Sequence, residues 1–158
     1  MLQLLQQSIK TSEDLTSALR FDKRSELART IISLYLTIIE QCDSQVALIK
    51  LGKYAGVEAI FRSTLEAYID LVNLIKDDAF LDHMKASHSD QWIKLAKEAM
   101  NGGNDFLATF SRTPENKQIL ADHESDIKAF KERGIHPLTV KQRFERAGKG
   151  DMYTSVYK

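Results

Sequence analysis

Four charged side chains recur at every fourth position of one segment, and they are the residues of this sequence best placed to do chemistry. They are Glu58, Arg62, Glu66 and Asp70. Residues four apart lie on the same face of an α-helix, so the arginine can bridge the carboxylates on either side of it. On an exposed helix each such pair contributes only about 0.3–0.5 kcal/mol. Under a covering helix the ions would have to stay paired and their pKa values would shift, which would make the row a candidate site. Both interpretations stay open at this point.

The C-terminal quarter combines basic residues with two tyrosines. Tyr153 and Tyr157 are four apart and share a helix face. Basic side chains beside aromatic rings could follow a single strand of RNA. A charged terminal segment is more often simply solvated, and the tyrosine pair equally fits packing against a central helix. The basic residues of this segment are Lys128, Lys131, Arg133, Lys141, Arg143, Arg146, Lys149 and Lys158.

The histidines and the single cysteine do not form a recognisable metal or catalytic pattern. His83 and His88 are five apart, so they do not share a helix face as ligands at i and i+4 would. The Glu-x-x-His pairs of helical di-metal centres do not occur. Cys42 lies in an apolar helical run, which favours a buried, inert thiol. We therefore expect no metal and no cofactor, and the sequence leaves enzyme activity undecided while leaning against it.

The charged row belongs to a segment, residues 54–76, that is apolar over more than half of its circumference. At about 100° per residue its apolar side chains share one broad face, opposite the charged row and Asn73. A helix this apolar has to be covered by other helices, so we expect it to be the central one. The apolar face comprises Val57, Ile60, Phe61, Thr64, Leu65, Tyr68, Leu71, Val72 and Ile75.

The remaining pattern predicts an all-α protein: two or three long helices plus several short ones around the helix at about 54–76. Helical periodicity extends over residues 22–50, and Gly52 then favours a turn into the central helix. The alternative is one long bent helix that contains Gly52 and Gly56, at a cost of about 1 kcal/mol for each glycine. Asp77 and Asp78 would cap a helix reaching residue 100, with an irregular polar middle at 85–91. Short helices with a break at 11–14 precede these, and helices near 114–133, 138–147 and from 151 follow. We expect a single domain over residues 1–158, truncated within its last helix.

The overall composition excludes several classes of partner. The 22 basic and 22 acidic residues balance, whereas a duplex-DNA binder usually carries a strong basic excess. No segment approaches the ~20 continuous apolar residues of a membrane span, so we expect no membrane insertion. One cysteine excludes an intramolecular disulfide, and no signal-peptide pattern is present. We expect a cytoplasmic protein.

Two segments resemble a bacterial helical family that is known only as a domain of unknown function. The first is the stretch 60–68, IFRSTLEAY, with its arginine and glutamate four apart. The second is LTVK at 138–141, followed by AG at 147–148 and MYTSVY at 152–157. The resemblance spans roughly residues 40–158. It implies that Arg62, Glu66, Tyr153 and Tyr157 belong to one polar cluster, and it supplies no activity.

That family is in turn distantly similar to HEPN-type helical bundles, many of which are RNases of toxin or phage-defence systems. Their mark is a histidine that follows an arginine after four to six residues, and no arginine here has one. Our main hypothesis is a helical interaction domain that packs against itself, as a homo-oligomer, or against a protein partner. The alternative is a HEPN-like effector that binds or cleaves RNA with Arg62, Glu66 and a residue beyond Lys158.

Overall fold

A computed structural model describes residues 2–102, 104–107, 113 and 115–157. Seven α-helices make up most of these residues, which contain no β-strand, so the all-α prediction is confirmed. Among the described helices, none combines the length and the apolar character needed to cross a membrane. The helices are α1 (Leu2–Thr16), α2 (Glu26–Lys50), α3 (Tyr54–Lys76), α4 (Phe80–Met100), α5 (Glu115–Glu132), α6 (Val140–Arg146) and α7 (Gly150–Tyr157), with a short 3-10 turn at Asp105–Leu107.

The chain divides into two compact units, and one of them is built from two separate stretches of sequence. The first unit joins residues 1–78 to residues 140–158, and so contains α1, α2, α3, α6 and α7. The second unit is residues 79–139, with α4 and α5. The expectation of one domain over residues 1–158 stays a prediction.

In the first unit, α2 and α3 form an antiparallel hairpin around the predicted turn. The Ser25 hydroxyl caps α2 by accepting the Ala28 N–H at 3.2 Å. Gly52 ends the helix with a φ of +68°, a left-handed conformation that glycine adopts without strain. Side-chain amides then tie the two helices together. Gln45 Nε2 donates to the Thr64 hydroxyl at 2.9 Å, and Gln41 donates to a serine of α3 at 3.0 Å.

The short C-terminal helices cover the charged side of α3. Ile69, Phe144 and Ala147 form the buried centre of this contact. Asp70 and Asn73, on the charged side of α3, are buried there with 9% and 1% of their surface exposed. The sequence left open whether this side is exposed or covered, because a helical wheel shows which residues share a side of α3 and not which side a distant helix covers.

The apolar face of α3 departs from the prediction. It was predicted to be enclosed, yet three of its large side chains are exposed to solvent: Phe61, Tyr68 and Ile75. The helix is enclosed only along parts of its circumference. The remainder is an apolar surface that no other described element covers to the degree expected of a central helix.

The second unit corrects two sequence predictions. Helix α4 runs without interruption through residues 85–91, because Ala86 and Ser89 within that polar stretch are buried and packed. The N-cap residue of α4 is Ala79, later than predicted, and Asp77 closes the end of α3 with its backbone N–H. In the first unit, helix α1 continues through the predicted break at 11–14. There the Thr11 hydroxyl donates to the Gln7 carbonyl, one turn earlier in the helix. The sequence also contains a short apolar stretch at 106–110, of which residues 108–110 lie outside the described residues.

Candidate functional site

The polar row of α3 meets a cation from α6 in the first unit. Glu66 and Asp70 lie one helical turn apart, and Arg143 reaches both of them. Its two guanidinium nitrogens donate to Asp70 Oδ2 at 2.6 Å and to Glu66 Oε2 at 2.7 Å. Such charge-assisted bonds are among the strongest in proteins, and the planar guanidinium suits two carboxylates at once. We call Glu66, Asp70, Arg143 and Tyr157 the polar cluster.

Tyr157 completes the polar cluster from α7. Its hydroxyl donates to Glu66 Oε1 at 2.8 Å, so both oxygens of that carboxylate are occupied. The ring lies parallel to Tyr153, with centroids 5.0 Å apart, and Phe144 meets both rings edge-on at 5.8 and 5.9 Å. Edge-to-face and offset-stacked rings are the favoured aromatic geometries. The aromatic contacts therefore fix the Tyr157 ring while its hydroxyl binds the acid.

Two further side chains of α3 bind the backbone at the end of α6. Asn73 Nδ2 donates to the Arg143 carbonyl at 3.0 Å, and Lys76 Nζ donates to the Ala147 carbonyl at 2.7 Å. The last carbonyls of a helix have no partner within the helix and carry partial negative charge, which a lysine compensates well. Arg146 adds an ion pair to Asp77. Helix α6 is only seven residues long, so these bonds from α3 hold it in place.

Burial sets the protonation of the polar cluster. It raises the pKa of the Asp70 carboxyl; Arg143 opposes that rise and the Glu66 carboxylate adds to it. Burial lowers the pKa of Arg143, but the two acids outweigh this and raise it overall, so the guanidinium stays charged. Burial, together with the bond to Glu66, raises the pKa of Tyr157 to about 12. At neutral pH that hydroxyl is therefore a hydrogen-bond donor and not a nucleophilic phenolate.

Two buried oxygens near Arg143 lack a hydrogen-bond partner within the described part of the chain. They are Asp70 Oδ1 and Asn73 Oδ1, three residues apart on α3. An unpaired buried acceptor is costly, and protonating the Asp70 carboxyl removes its buried charge. The absence of a hydrogen-bond partner for Asp70 Oδ1 within the described residues is therefore consistent with the raised pKa of the Asp70 carboxyl.

The Asp70→Asn variant tests this account through the pH dependence of stability. A carboxyl whose pKa is raised by folding stabilises the protein fully below its unfolded pKa, near 3.8, and loses that contribution as the pH rises through the folded pKa. We therefore expect the free energy of unfolding of Asp70→Asn to increase relative to wild type as the pH rises from 4 towards 7. Urea unfolding at several pH values measures this. A difference that does not change with pH would contradict it.

The structure brings together only part of the predicted set of site residues. Glu66, Asp70 and Tyr157 are in the polar cluster. Arg62 lies at its edge, with its guanidinium carbon 5.8 Å from the centre of the Tyr157 ring. Tyr153 contributes through ring stacking. Glu58 is exposed and binds Arg62 at 2.7 Å, and is thus an ordinary surface pair.

Arg143 is the member that sequence reasoning did not assign to the site. It was counted only as one of many basic residues in the C-terminal quarter. A signal was nevertheless present, because Val140, Phe144 and Ala147 follow helical spacing and Arg143 is next to Phe144. A cation on the border of a packed face is the natural partner of two acids one turn apart on another helix.

A separate cluster lies in the second unit, between α4 and α5. His123 stacks on Trp92 with centroids 5.9 Å apart and meets the ring of His88 edge-on at 5.7 Å. Its Nδ1 is 3.1 Å from the hydroxyl of the buried Ser89. In the residues that the structure describes, no group of three or more His, Cys, Asp or Glu side chains is placed to hold a metal ion. These contacts pack α4 against α5.

Comparison with known proteins assigns the chain to a family without assigning an activity. No curated protein and no solved structure shows significant similarity to it. A family profile matches residues 28–158, which include α3 and both C-terminal helices. The matched range also contains every residue of the polar cluster. The chain therefore belongs to the family described as "Family of unknown function (DUF5677)".

Proposed function

We propose that this chain is a helical protein-interaction domain. The observation that carries the proposal is the set of large apolar side chains that α2 and α3 leave exposed to solvent. On α3 these are Tyr54, Phe61, Tyr68 and Ile75, and on α2 it is Leu36. Contiguous apolar patches exposed on a protein surface are typical of protein–protein contact sites.

Apolar side chains account for much of the uncovered surface in the first unit. Helix α2 carries Ile and Leu around most of its circumference, yet Val46 is its only buried apolar residue among those described. A helix that is apolar on nearly all sides is normally enclosed. A partner would provide that enclosure.

The polar cluster supports the proposal by its chemistry. Its arginine is bound to two acids, its tyrosine stays protonated at neutral pH, and its contacts join α3 to α6 and α7. This arrangement makes a firm platform for binding and offers no activated nucleophile. Several basic side chains proposed to follow RNA are bound to acids: Arg133, Arg143, Arg146 and Lys141. The HEPN-like alternative stays a prediction.

Photo-crosslinking in cells tests the proposal directly. The photoreactive residue p-benzoylphenylalanine replaces Phe61 on the exposed apolar side of α3 or, as the control, Ser33 on α2. Ser33 is also exposed, on a side of α2 that carries Glu40 and Asp43. We expect protein adducts from position 61 and few from position 33. No adduct at position 61, or equal yields at both positions, would overturn the proposal.

A further inference from the structure

The polar cluster holds one more acid than base. Glu66 and Asp70 each bring a carboxyl group, and Arg143 is the cation that is bonded to both of them. Arg62 does not supply the missing charge, because it pairs with Glu58 and its side chain is 47% exposed. With both carboxyl groups ionised, the cluster would carry one net negative charge next to the buried Asp70. A buried charge without compensation is costly, and such a group tends to bind a proton instead.

The hydrogen bonds of the two carboxyl groups indicate where a proton can be added. Within the described part of the chain, three of the four oxygens accept a bond: Glu66 Oε1 from Tyr157, and Glu66 Oε2 and Asp70 Oδ2 from Arg143. The fourth, Asp70 Oδ1, is buried without a partner there. A proton on any of the first three would compete with a donor that is already bound. A proton on Asp70 Oδ1 displaces nothing.

Asn73 offers an acceptor for that proton. Its Oδ1 is the other unpaired oxygen in this part of the described structure, and the residue is only 1% exposed. Its Nδ2 donates to the Arg143 carbonyl at 3.0 Å, which determines which end of the amide is the oxygen. Asp70 and Asn73 are three residues apart on α3, a spacing that brings side chains together on one helix face. One proton would therefore turn two unpaired acceptors into one O–H···O hydrogen bond.

We propose that Asp70 Oδ1 is a proton-binding site, that its O–H donates to Asn73 Oδ1, and that closure of α6 and α7 on α3 takes up this proton. Asp70 Oδ2 still accepts from Arg143 when the carboxyl is neutral, so no bond is lost. The raised pKa of Asp70 supports the proposal, since burial is its largest cause. Arg143 of α6 opposes protonation and Glu66 of α3 favours it, while Tyr157 of α7 is bonded to Glu66.

A metal cation or a water molecule fits the same position less well. Mg²⁺ and Ca²⁺ take about six or more oxygen ligands, whereas two unpaired side-chain oxygens are present here among the described residues. The Arg143 guanidinium, bonded to Asp70 at 2.6 Å, would also repel a cation. A water molecule could donate to both oxygens, but it would leave the extra negative charge in place. A proton accounts for both the charge and the unpaired oxygens.

NMR spectroscopy of the Asp70 carboxyl carbon tests the proton site in the wild-type chain. The Asp70→Asn variant identifies the signal by removing it. We expect the carbon to titrate above the ordinary carboxyl pKa of 3.8. Asn73→Ala should move the titration to lower pH, because it removes the acceptor of the proton. Thr64→Ala, the control, removes another buried polar side chain from α3 and should leave the titration unchanged.

Two results of this titration would overturn the proposal. One is a wild-type midpoint at 3.8 or below, which would leave a water molecule or a metal cation as the occupant. The other is an Asp70 titration that a folded Asn73→Ala variant does not lower. The wild-type midpoint decides the matter even where Asn73→Ala does not fold.

Amide hydrogen exchange of residues 140–157 tests the link between the proton and closure. Wild type and Asp70→Asn are compared at the same pH, so the intrinsic pH dependence of exchange cancels. The asparagine accepts from Arg143 and offers an N–H to Asn73, so it imitates the protonated carboxyl at every pH. We expect the opening constant of wild type, relative to the variant, to rise by up to about tenfold per pH unit above 3.8. It should level off above the folded pKa. A ratio that does not change with pH would overturn the proposal.

Discussion

Replacing Arg143 with methionine should lower the free energy of unfolding by about 3–5 kcal/mol. Methionine keeps much of the side-chain volume but leaves Glu66 and Asp70 without their cation. The side chains of Arg143 and Asp70 are only 18% and 13% exposed, so water cannot readily replace the lost partner. The cost arises mainly from buried, uncompensated carboxylates.

Urea unfolding measures this effect, with Arg62→Met as the matched control. Arg62 also pairs with an acid of α3, but its side chain is 47% exposed, and we expect a loss below about 1 kcal/mol. Adding Glu66→Gln and Asp70→Asn to Arg143→Met should recover part of the lost stability, since it removes the unpaired charges. Equal losses for the two arginine variants would show that the contribution of Arg143 to stability does not depend on the burial of the polar cluster.

Replacing Phe144 with alanine should cost about 3–5 kcal/mol by a different mechanism. The Phe144 ring is fully buried against Ile69 and Ala147, and it meets the rings of Tyr153 and Tyr157. Its removal loses the free energy that is gained by transferring an aromatic ring from water, and it leaves a cavity under α6 and α7. Near-ultraviolet circular dichroism should report the loss of fixed tyrosine packing, and urea unfolding the loss of stability.

The control for this substitution is Phe106→Ala, the same chemical change at a side chain that is 98% exposed. We expect that variant to unfold within about 0.5 kcal/mol of wild type. If Phe144→Ala were equally mild, α6 and α7 would not be packed on α3 as described. If it were as severe as expected, the C-terminal helices would be confirmed as part of the core.

Local pattern was sufficient to predict most of the helices. Residues 26–50 and 54–76 repeat their apolar side chains at helical spacing, and a glycine marks the turn between them. Helix ends were less predictable. Asp77 and Asp78 have the composition of an N-cap, yet they follow a helix that ends only there, and the next one starts at Phe80. Capping preferences indicate that a helix end is near, but packing decides which helix the capping residues belong to.

Only part of the candidate site could be predicted from the sequence, because some of its geometry is local and the rest depends on distant helices. The spacing of Glu66 and Asp70 on one face follows from the helix alone. Their burial and the identity of their cation depend on where α6 lies, and Arg143 is 73 residues away from Asp70 in sequence. The same dependence explains the exposed Phe61: the periodicity of α3 identifies an apolar side, but only the position of its neighbours decides whether that side is covered.

The division of the first unit between two distant stretches of sequence has a consequence for how the protein is made. The acids of α3 leave the ribosome well before their arginine, and Tyr157 follows Glu66 after 91 residues. At about 5–20 residues per second, several seconds pass between the synthesis of these acids and the synthesis of Arg143 and Tyr157. Throughout that interval the α2–α3 hairpin exposes both its carboxylates and its apolar flank. The first unit can therefore complete its packing only after residues 140–157 have been synthesised.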